Sequence, residues 1–388
     1  MKCLNQKMLL IMKVKKKILF LTGTRADFGK LKPLINATNL DDRFEVSIFV
    51  TGMHMLRRYG YTLQEVNKLG YSNVFSFINQ AEGEAMELIM ANTIGGLSRF
   101  CSEFRPDMIV VHGDRLEAMA GAIVGSFKNI LVSHIEGGEV SGTIDGLIRH
   151  SVSKLAHLHF VTNTDAERRL RQLGEDPVSI HLIGSPDIDI MLSDTLPSIA
   201  DVKDRYDIHF DDYGVLIFHP VTTEIELIGE QIESVLKGAM DSGKNFVVLF
   251  PNNDAGSEII IKAFGALNGL SRFRVFPSLR FEFYLSLLKN ARCIVGNSSS
   301  GIHEAPVFGI PTLNIGSRQH QRFKHDTIMD VPADSSIITK SIFECFEKKK
   351  SVQCLFFGQG KSAKSFVEIM NMERTWLTPR QKSFCDVK

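Results

Sequence analysis

The chain has 388 residues, of which 44% are hydrophobic and 23% are charged. Its 45 basic and 44 acidic side chains nearly cancel, which argues against the concentrated basic face of a nucleic-acid-binding protein. The length predicts two domains with separate cores, and the composition is that of an ordinary globular protein.

The N-terminus contains a short apolar run, Met8–Met12, that is followed at once by lysines. A signal peptide has a longer apolar core and a small-residue cleavage site, so we interpret this run as an extension before the first strand. No window approaches the ~20 apolar residues of a membrane span. The six cysteines form no C-x-x-C pair, so we expect reduced thiols, no zinc site and a cytoplasmic protein.

Apolar, β-branched runs alternate with helical patterns through the first half. Strands are predicted at Lys17–Leu21, Phe44–Val50, Met108–Val111, Ile130–Ser133, Leu158–Thr162 and Ile180–Ile183. Helices are predicted at Gly83–Phe104, Leu116–Phe127 and Asp145–Ala156. Continuously apolar strands indicate a parallel sheet covered on both faces, and strand–helix repetition indicates a doubly wound α/β domain.

The alternation stops near Leu192–Ala200, where polar residues and proline predict a linker, and then restarts. Strands are predicted at Val215–Phe218, Phe246–Phe250, Arg274–Phe276, Cys293–Val295 and Thr312–Ile315. Helices are predicted at Glu226–Met240, Ser257–Leu267, Glu282–Lys289 and Ser335–Lys348. We therefore predict similar α/β domains at residues 1–195 and 196–360, with a tail at 361–388 that packs back across them.

The first strand is followed by a glycine-containing turn at residues 23–30 that presents Arg25. Its spacing fits neither a P-loop nor a Rossmann fingerprint. A strand-to-helix turn suits phosphate because free helix N–H groups point outward. A surface arginine in a turn explains the segment equally well.

Two segments place acids where such sheets present ligands, beyond the carboxyl ends of their strands. Asp114, within His112–Arg115, is explained by helix capping when taken alone. The glycine-rich loop at residues 133–145 is more informative, because a fold does not require Glu136 and Glu139 there. We favour a functional interpretation of this loop.

The second half presents small and basic residues at its strand ends. Residues 296–301, at a predicted helix start, offer N–H groups, hydroxyls and the helix dipole to a diphosphate. Glu304, one turn later, suits a ribose diol. Arg318 and Arg322 lie in a loop after the next predicted strand, and this loop is able to close over phosphate. A plain Ser/Asn cap remains the alternative explanation for the serines.

These motifs together identify a family resemblance. The chain resembles the hydrolysing UDP-N-acetylglucosamine 2-epimerases of sialic acid biosynthesis, bacterial and animal, from about residue 17 onward. The matching stretches are Gly23–Asp27, His112–Arg115, His134–Asp145, Ile148–His150, His219–Thr223, Phe250–Gly256, Gly296–Ser299 with Glu304, and Gly316–Arg318.

The resemblance implies two Rossmann-like domains of GT-B-like fold, an active site in the cleft between them, and a homodimer or homotetramer without metal or cofactor. It implies that UDP-N-acetylglucosamine and water give N-acetylmannosamine and UDP, by loss of the C2 proton and UDP to form a 2-acetamidoglucal that is then hydrated. The implied catalytic residues are Asp114, Glu136, Asp145 and His219. The implied substrate contacts are Arg25, Arg115, His134, Gly138, Asn253, Ser298, Ser299, Glu304 and Arg318.

Several alternatives stay open at this point. Relatives of the family accept a GDP-linked or a 4-acetamido sugar, and the sequence does not assign each carboxylate its step. A non-hydrolysing 2-epimerase, a GT-B glycosyltransferase and an inactive nucleotide-sugar sensor share the fold. The acidic loop argues against the transferase, and the presence of all three acids argues against the sensor.

Overall fold

The computed structural model describes residues 15–141, 144–320 and 322–386, so the apolar run at Met8–Met12 lies outside the described residues. The first half forms a parallel sheet of β1 (Lys16–Thr22), β2 (Phe44–Val50), β3 (Val74–Ser76), β4 (Met108–His112), β5 (Leu131–Ile135), β6 (Leu158–Val161) and β7 (Ile180–Leu182). The helices between these strands are α1 (Arg25–Asn39), α2 (Leu63–Asn67), α3 (Met86–Phe104), α4 (Leu116–Phe127), α5 (Ile144–Leu155) and α6 (Thr164–Gln172).

Helices α7 (Pro186–Met191) and α8 (Ile199–Tyr206) lead to a second parallel sheet. Its strands are β8 (Gly214–Ile217), β9 (Phe246–Leu249), β10 (Phe273–Phe276), β11 (Ile294–Gly296), β12 (Thr312–Ile315) and β13 (Ile328–Val331). The remaining helices are α9 (Ile228–Asp241), α10 (Ser257–Phe264), α11 (Phe281–Asn290), α12 (Glu304–Val307), α13 (Ser335–Glu347), α14 (Ser362–Met370) and α15 (Glu373–Trp376).

The strand order creates the same kind of crevice in each sheet. The first sheet runs β3-β2-β1-β4-β5-β6-β7 and the second runs β10-β9-β8-β11-β12-β13. Each order reverses where β1 meets β4 and where β8 meets β11, and ligands of doubly wound sheets bind at such switch points. The motifs at residues 23–27, 112–115, 219–223 and 296–299 all follow one of these four strands.

Alternate side chains of β1 enter two different cores. Ile18 and Phe20 pack with side chains of α1, whereas Leu19 and Leu21 pack with side chains of α3 and α4. Strand β8 shows the same alternation in the second half. Both faces of each sheet are therefore covered, which explains why its strands are continuously apolar and confirms the predicted fold class.

The C-terminal segment returns to the first half. Phe366 and Met370 of α14 are fully buried in the core beneath β1. Asp189 of α7 accepts hydrogen bonds from the first two backbone N–H groups of α14, at 2.9 and 2.8 Å. Because α7 itself packs with core side chains of the second half, the chain crosses between the halves twice. The boundaries at residues 195 and 360 stay proposals.

The predicted strands and helices are present, with ends that differ by a few residues, as helix ends commonly do. Two strands escaped prediction, β3 and β13, at opposite ends of their sheets. Their side chains are mostly part-exposed or exposed, so they lack the continuous apolar run of a central strand. None of the helices in the described part of the chain is long and apolar enough to cross a membrane.

Candidate active site

Residues from both switch points line two adjoining cavities. The smaller cavity, of about 140 Å³, carries mainly charged side chains: Asp27, Lys30, His112, Asp114, Arg115, Glu136, Asp145, Arg149, His303, Arg318 and Arg322. The larger, of about 230 Å³, is lined by apolar groups and hydroxyls together with six charged or polar side chains: Met53, Ile217, Leu249, Phe250, Pro277, Leu279, Phe281, Tyr284, Ser278, Ser298, Ser299, Ser300, Arg25, Lys30, His219, Asn252, Glu304 and Arg318. Lys30, Ser299 and Arg318 border both cavities.

A third cavity, of about 640 Å³, lies in the second half. It shares Arg322 with the smaller cavity and is otherwise lined by residues such as His320, Lys324 and Asp330. Apart from Arg322, none of the candidate site residues is among the described residues that line it. The predicted chemistry therefore belongs to the two smaller cavities.

The backbone at Glu136 is held in an uncommon conformation. Its φ is +63°, in the left-handed region that residues other than glycine rarely adopt. This backbone conformation costs on the order of 1 kcal/mol of stability. The Glu136 N–H donates to the carbonyl of Phe160 at 2.9 Å, which anchors this conformation to β6. Such strain concentrates at functional sites, because the surrounding structure must select it.

Asp114 lies against two arginines of the cavity wall. Its carboxylate accepts a hydrogen bond from Arg149 of α5, and Arg322 Nη2 lies 3.9 Å from it. Burial alone would raise the pKa of Asp114, but these arginines outweigh it and lower the pKa to about 2. Asp114 is therefore ionised at neutral pH.

Asp145, in the first turn of α5, reaches across the cleft to the second half. Its Oδ2 lies 2.8 Å from Nη2 of Arg318, and both side chains are buried. Burial and the negative charge of Asp114 raise the pKa of Asp145 above its usual value, although Arg318 opposes the shift. Two carboxyl groups with pKa values pushed in opposite directions therefore share one cavity, a pattern typical of acid–base pairs.

Glu136 has positively charged neighbours on both carboxylate oxygens. Lys30 Nζ lies 3.9 Å from Oε1, and His112 Nε2 lies 3.1 Å from Oε2. Ser185 also donates a hydrogen bond to Oε1. Burial would raise the pKa of Glu136, but Lys30 and His112 hold it well below its usual range. This carboxylate is therefore ionised at neutral pH, and its position in the cavity wall is fixed by these contacts.

His219, after β8, is a neutral imidazole. Its Nδ1 accepts a hydrogen bond from the backbone N–H of Asn252 at 3.0 Å, which leaves the ring proton on Nε2. Burial, with a smaller effect from Arg318, lowers the pKa of His219 to about 3. Asn297 holds the His219 backbone through both its side-chain oxygen and nitrogen, at 2.7 and 2.9 Å. The two central strands of the second sheet are thereby tied together.

The serine-rich turn after β11 differs from its prediction. Where a helix was predicted to start directly after residue 301, the structure has a single 3₁₀ turn at Ser299–Gly301 and the four-residue α12. The helix dipole expected for a diphosphate is correspondingly small, because short helices align few peptide groups. Ser298 caps the turn by accepting a hydrogen bond from the backbone N–H of Ser300. Both serines line the larger cavity, so their hydroxyls are the groups that this turn offers to a diphosphate.

Three predicted substrate contacts also join the two halves. Arg25 Nη1 donates to Ser278 at 2.8 Å. Arg115 donates to Asp254 and Asn253, at 2.9 and 2.5 Å. Arg25 lines the larger cavity and Arg115 the smaller one, whereas Asn253 lines neither. Asn253 is placed to brace Arg115 rather than to touch a ligand in these cavities.

Two other predicted contacts, His134 and Gly138, line neither cavity. The ring of His134 is fully buried, 3.0 Å from Ser153 Oγ and 2.8 Å from the Gly113 carbonyl. A Cβ atom at Gly138 would lie 2.3 Å from the carbonyl oxygen of Ala166, so only glycine fits there. Both residues shape the loop that presents Glu136, from behind the cavity wall.

The structure adds residues to the site that the sequence did not single out. Asp27 and Lys30 enter from the first turns of α1, Arg149 from α5, and His112 from the end of β4. All four lie in or beside sequence segments that were already noted. The sequence pattern that could have identified them is a charged side chain at the end of a central strand or in the first turns of the helix that follows. Their partners come from distant parts of the chain, which the sequence does not reveal.

Lys30 connects the two cavities. Its Nζ lies 3.2 Å from both Glu304 Oε1 and Asp187 Oδ2, in addition to its contact with Glu136. Burial raises the pKa of Glu304 and Lys30 opposes that shift, while the surrounding carboxylates hold the pKa of Lys30 well above its usual value. Among the residues that the structure describes, no group of three His, Cys, Asp or Glu side chains is arranged to hold a metal ion.

Comparisons with known proteins point in one direction. The family model described as UDP-N-acetylglucosamine 2-epimerase matches residues 36–371. The chain is 45% identical to the UDP-N-acetylglucosamine 2-epimerase of Neisseria meningitidis, over 96% of this chain and 99% of that protein. It is 32% identical to the UDP-N,N'-diacetylbacillosamine 2-epimerase (hydrolyzing) of Legionella pneumophila, over 92% and 95%. It is 33% identical to the polysialic acid biosynthesis protein P7 of Escherichia coli, over 84% and 85%.

Solved structures show the same fold. The UDP-GlcNAc 2-epimerase of Methanocaldococcus jannaschii, in complex with UDP-GlcNAc and UDP, superposes with a TM-score of 0.77 at 19% identity, over 91% of this chain and 99% of that one. At this identity the likeness concerns the fold of two Rossmann-like units. The family model and the near-full-length relatives carry the assignment further: the chain belongs to the UDP-N-acetylglucosamine 2-epimerase family.

Proposed function

We propose that this chain converts UDP-N-acetylglucosamine and water to N-acetylmannosamine and UDP. The observation that carries the proposal is the arrangement of Asp114, Glu136 and Asp145 around one charged cavity, next to a cavity lined by apolar groups and hydroxyls. The first suits proton transfer at a sugar ring and the second suits a nucleotide. The 45% identity to a UDP-N-acetylglucosamine 2-epimerase supports the same substrate.

We assign proton transfer at C2 to Glu136 and Asp145. The C2–H of a sugar is weakly acidic, so its base must be ionised and well placed, and Glu136 is an ionised carboxylate fixed in the wall of the smaller cavity. Asp145, with its raised pKa, is the better proton carrier of the pair. Inversion at C2 needs groups on both ring faces, and these two carboxylates have different neighbours. Asp114 stays ionised and holds Arg149.

UDP occupies the larger cavity in this proposal. Phe281 and Pro277 offer apolar surface to the uracil ring, and Ser298 and Ser299 offer hydroxyls to the diphosphate. Arg318 borders both cavities, so it reaches the diphosphate where it joins the sugar. A guanidinium at that position stabilises the negative charge that develops as UDP leaves C1.

Substrate binding thereby also prepares Asp145. In the free enzyme Arg318 is paired with Asp145 at 2.8 Å. A diphosphate carries more charge than one carboxylate and attracts the guanidinium more strongly. Once Arg318 turns toward it, Asp145 loses the neighbour that most lowers its pKa, ahead of Arg115, and becomes a more effective proton carrier. Nucleotide binding and the rise in the pKa of Asp145 are then coupled through Arg318.

Incubation in ¹⁸O-labelled water tests the reaction type. We expect wild-type enzyme to release free UDP without ¹⁸O, because elimination breaks the C1–O bond and leaves that oxygen on UDP. UDP that carries ¹⁸O would show attack of water at phosphorus and contradict the proposal. A UDP-linked mannosamine without free UDP would show a non-hydrolysing 2-epimerase. Comparing kcat/KM for UDP-N-acetylglucosamine, GDP-N-acetylglucosamine and a UDP-diacetamido sugar tests the choice of substrate.

Three accompanying assignments are also proposals. The likeness to a polysialic acid biosynthesis protein favours a sialic-acid-type destination for the product. The described cysteines are all free thiols, which favours the cytoplasm. Phe104 and Phe127, on the packed helices α3 and α4, are 53% and 82% exposed, which favours a homodimer or homotetramer. Light scattering of the purified chain measures the last of these.

A further inference from the structure

His112 lies in a buried row of charged side chains. Its Nδ1 is 3.0 Å from Oδ1 of Asp27, and its Nε2 is 3.1 Å from Oε2 of Glu136. The exposed fractions of the His112, Asp27 and Glu136 side chains are 9%, 10% and 5%. A single imidazole ring therefore connects two carboxylates that arrive from different elements, α1 and the loop after β5.

The geometry determines the charge of the ring. A neutral imidazole has one N–H and one lone pair, so with a carboxylate at each nitrogen the lone pair would face an anion. Only an imidazolium presents an N–H to both carboxylates and forms an ion pair with each, at 3.0 and 3.1 Å. Burial opposes a charged ring, but the two carboxylates outweigh it and raise the pKa of His112 to about 9.

We infer that His112 is a positioning residue that works as an imidazolium, tying the Glu136 carboxylate to Asp27 in the orientation that C2 proton transfer requires. The inference rests on the proposed function, because it takes the role of Glu136 from there. His112 itself holds a carboxylate rather than the substrate. Its contribution is to fix Oε2 of Glu136 and to supply a positive charge that keeps this buried carboxylate ionised.

Both ends of the row are anchored. Asp27 Oδ2 accepts a hydrogen bond from the backbone N–H of Gly23 at 3.0 Å. At the other end, the carbonyl oxygen of Glu136 accepts from Arg149 at 2.6 Å, and Oε1 is held by Ser185. Oε2 is the carboxylate oxygen that depends on His112. Removing the ring would free one oxygen of a carboxylate that is otherwise fixed.

Other ionisable groups face this row, and their charges differ. On the side of α1, the pKa of Lys30 is held well above its usual value, so Lys30 stays charged. From α5, Arg149 is likewise charged because nearby carboxylates raise its pKa. Asp187 of α7 lies beside Lys30.

Two further histidines in this region are neutral. Burial, followed by repulsion from Lys30, lowers the pKa of His303 well below its usual value. Burial lowers the pKa of His134 to about 3. His112 is therefore the histidine of this cluster that we expect to titrate near pH 9, and the sign is clear: the connection is present below that pH and is lost above it.

The pH profile of activity gives the first test. We expect kcat/KM of the wild type to exceed that of His112→Gln by about 10-fold to 100-fold at pH 7.5, the loss expected when a buried charged contact is removed, and this ratio to fall above about pH 9. Titration of the uracil ring affects both enzymes equally. His159→Gln is the matched control, since His159 is also fully buried against one carboxylate, Glu175, at 2.9 Å, but outside both cavities. It should keep the wild-type profile.

Ring protonation measured without substrate is the decisive test. In histidine ¹⁵N-labelled wild-type enzyme at pH 8, long-range ¹H–¹⁵N NMR should show a doubly protonated ring whose signal titrates near pH 9 and is missing in His112→Gln. If no cationic ring is present at pH 8, the inference is wrong, whether or not the variant folds. Failure of the proposed function looks different: the wild type would then release no UDP while this ring signal persists.

Discussion

The two switch points differ in the kind of group that they present. The first is charged: Asp27, His112, Asp114 and Glu136 meet there, and each contacts an oppositely charged side chain. The second presents hydroxyls, an amide and a neutral imidazole, beside an apolar wall. A buried charge is tolerated only when it is paired, so the first half carries a preformed network for proton transfer. The second half offers serine hydroxyls to an incoming diphosphate, beside Arg318, which is paired with Asp145 in the free enzyme.

Ion pairs cross between the halves in both directions, and two of them involve cations that line both cavities. Arg318 from the second half pairs with Asp145, and Lys30 from the first half reaches Glu304. Both cations border the two cavities. This exchange couples nucleotide binding to the acid–base groups, and it predicts which substitutions affect chemistry, which affect both steps, and which affect binding alone.

Glu136→Gln gives the largest expected effect. Glutamine preserves the shape but is not a base, so kcat should fall by about 10³-fold or more, while the Kd for UDP changes less than about threefold. The control is Glu139→Gln, because Glu139 is also buried but binds Thr162 and Asn163 away from both cavities. Normal turnover in Glu136→Gln, measured by UDP release, would contradict the assignment.

Arg318→Ala should weaken both nucleotide binding and proton transfer. Loss of the guanidinium removes charge from the diphosphate and a partner from Asp145, so kcat/KM should fall by about 10²-fold, through kcat and KM together. Arg318→Lys should recover part of this loss, because lysine keeps the charge without the paired donors. An effect on KM alone would argue against the coupling of binding to Asp145.

Ser298→Ala should affect binding more than chemistry. We expect KM to rise about tenfold at nearly constant kcat, since the hydroxyl contacts the diphosphate in substrate and transition state alike. Ser198→Ala is the matched control, because Ser198 also caps a helix of the second half, α8, but lies outside the cleft. Loss of either cap should lower the stability by about 1 kcal/mol, so the control shows the effect of a lost cap alone. An unchanged KM in Ser298→Ala would show that this hydroxyl caps the turn and does not contact the diphosphate.

Chelation should have no effect. Each acid of the smaller cavity is already neutralised by a cationic side chain, as Asp114 is by Arg149 and Asp145 is by Arg318. A metal ion would have to displace these arginines, so turnover with and without EDTA should agree within error. A clear loss of activity that Mg²⁺ or Zn²⁺ restores would overturn this view of the charged switch point.

The sequence predicted most of the framework and the acids, for identifiable reasons. Central strands such as β4 and β5 are continuously apolar, and parallel topology places their ends together. The edge strands β3 and β13 lack that signal. The loop at residues 133–145 was noted because the fold does not require Glu136 and Glu139 there, whereas the catalytic roles of Asp114, Glu136 and Asp145 came from the family resemblance and stay proposals. The short 3₁₀ turn after β11 was missed, because a Ser/Asn cluster signals a helix start but not its length.

Pairing could not be predicted from the sequence. The contact between His112 and Asp27 depends on the register of β1 against β4, and the pair Arg318–Asp145 depends on how the two halves approach. The same limit explains His134, which was predicted to touch substrate but lies behind the loop at the Gly113 carbonyl. Residue types in the sequence indicated the chemistry of the site, whereas only the distances between side chains in the structure show which residues act together.

The central claim is that Glu136 and Asp145 exchange the C2 proton of UDP-N-acetylglucosamine while UDP departs. Proton NMR of the wild-type reaction in deuterated water tests it most directly. The account predicts free UDP together with N-acetylmannosamine that carries deuterium at C2, and neither product with Glu136→Gln. N-acetylmannosamine that retains its original C2 proton, or release of N-acetylglucosamine with UDP, would contradict it.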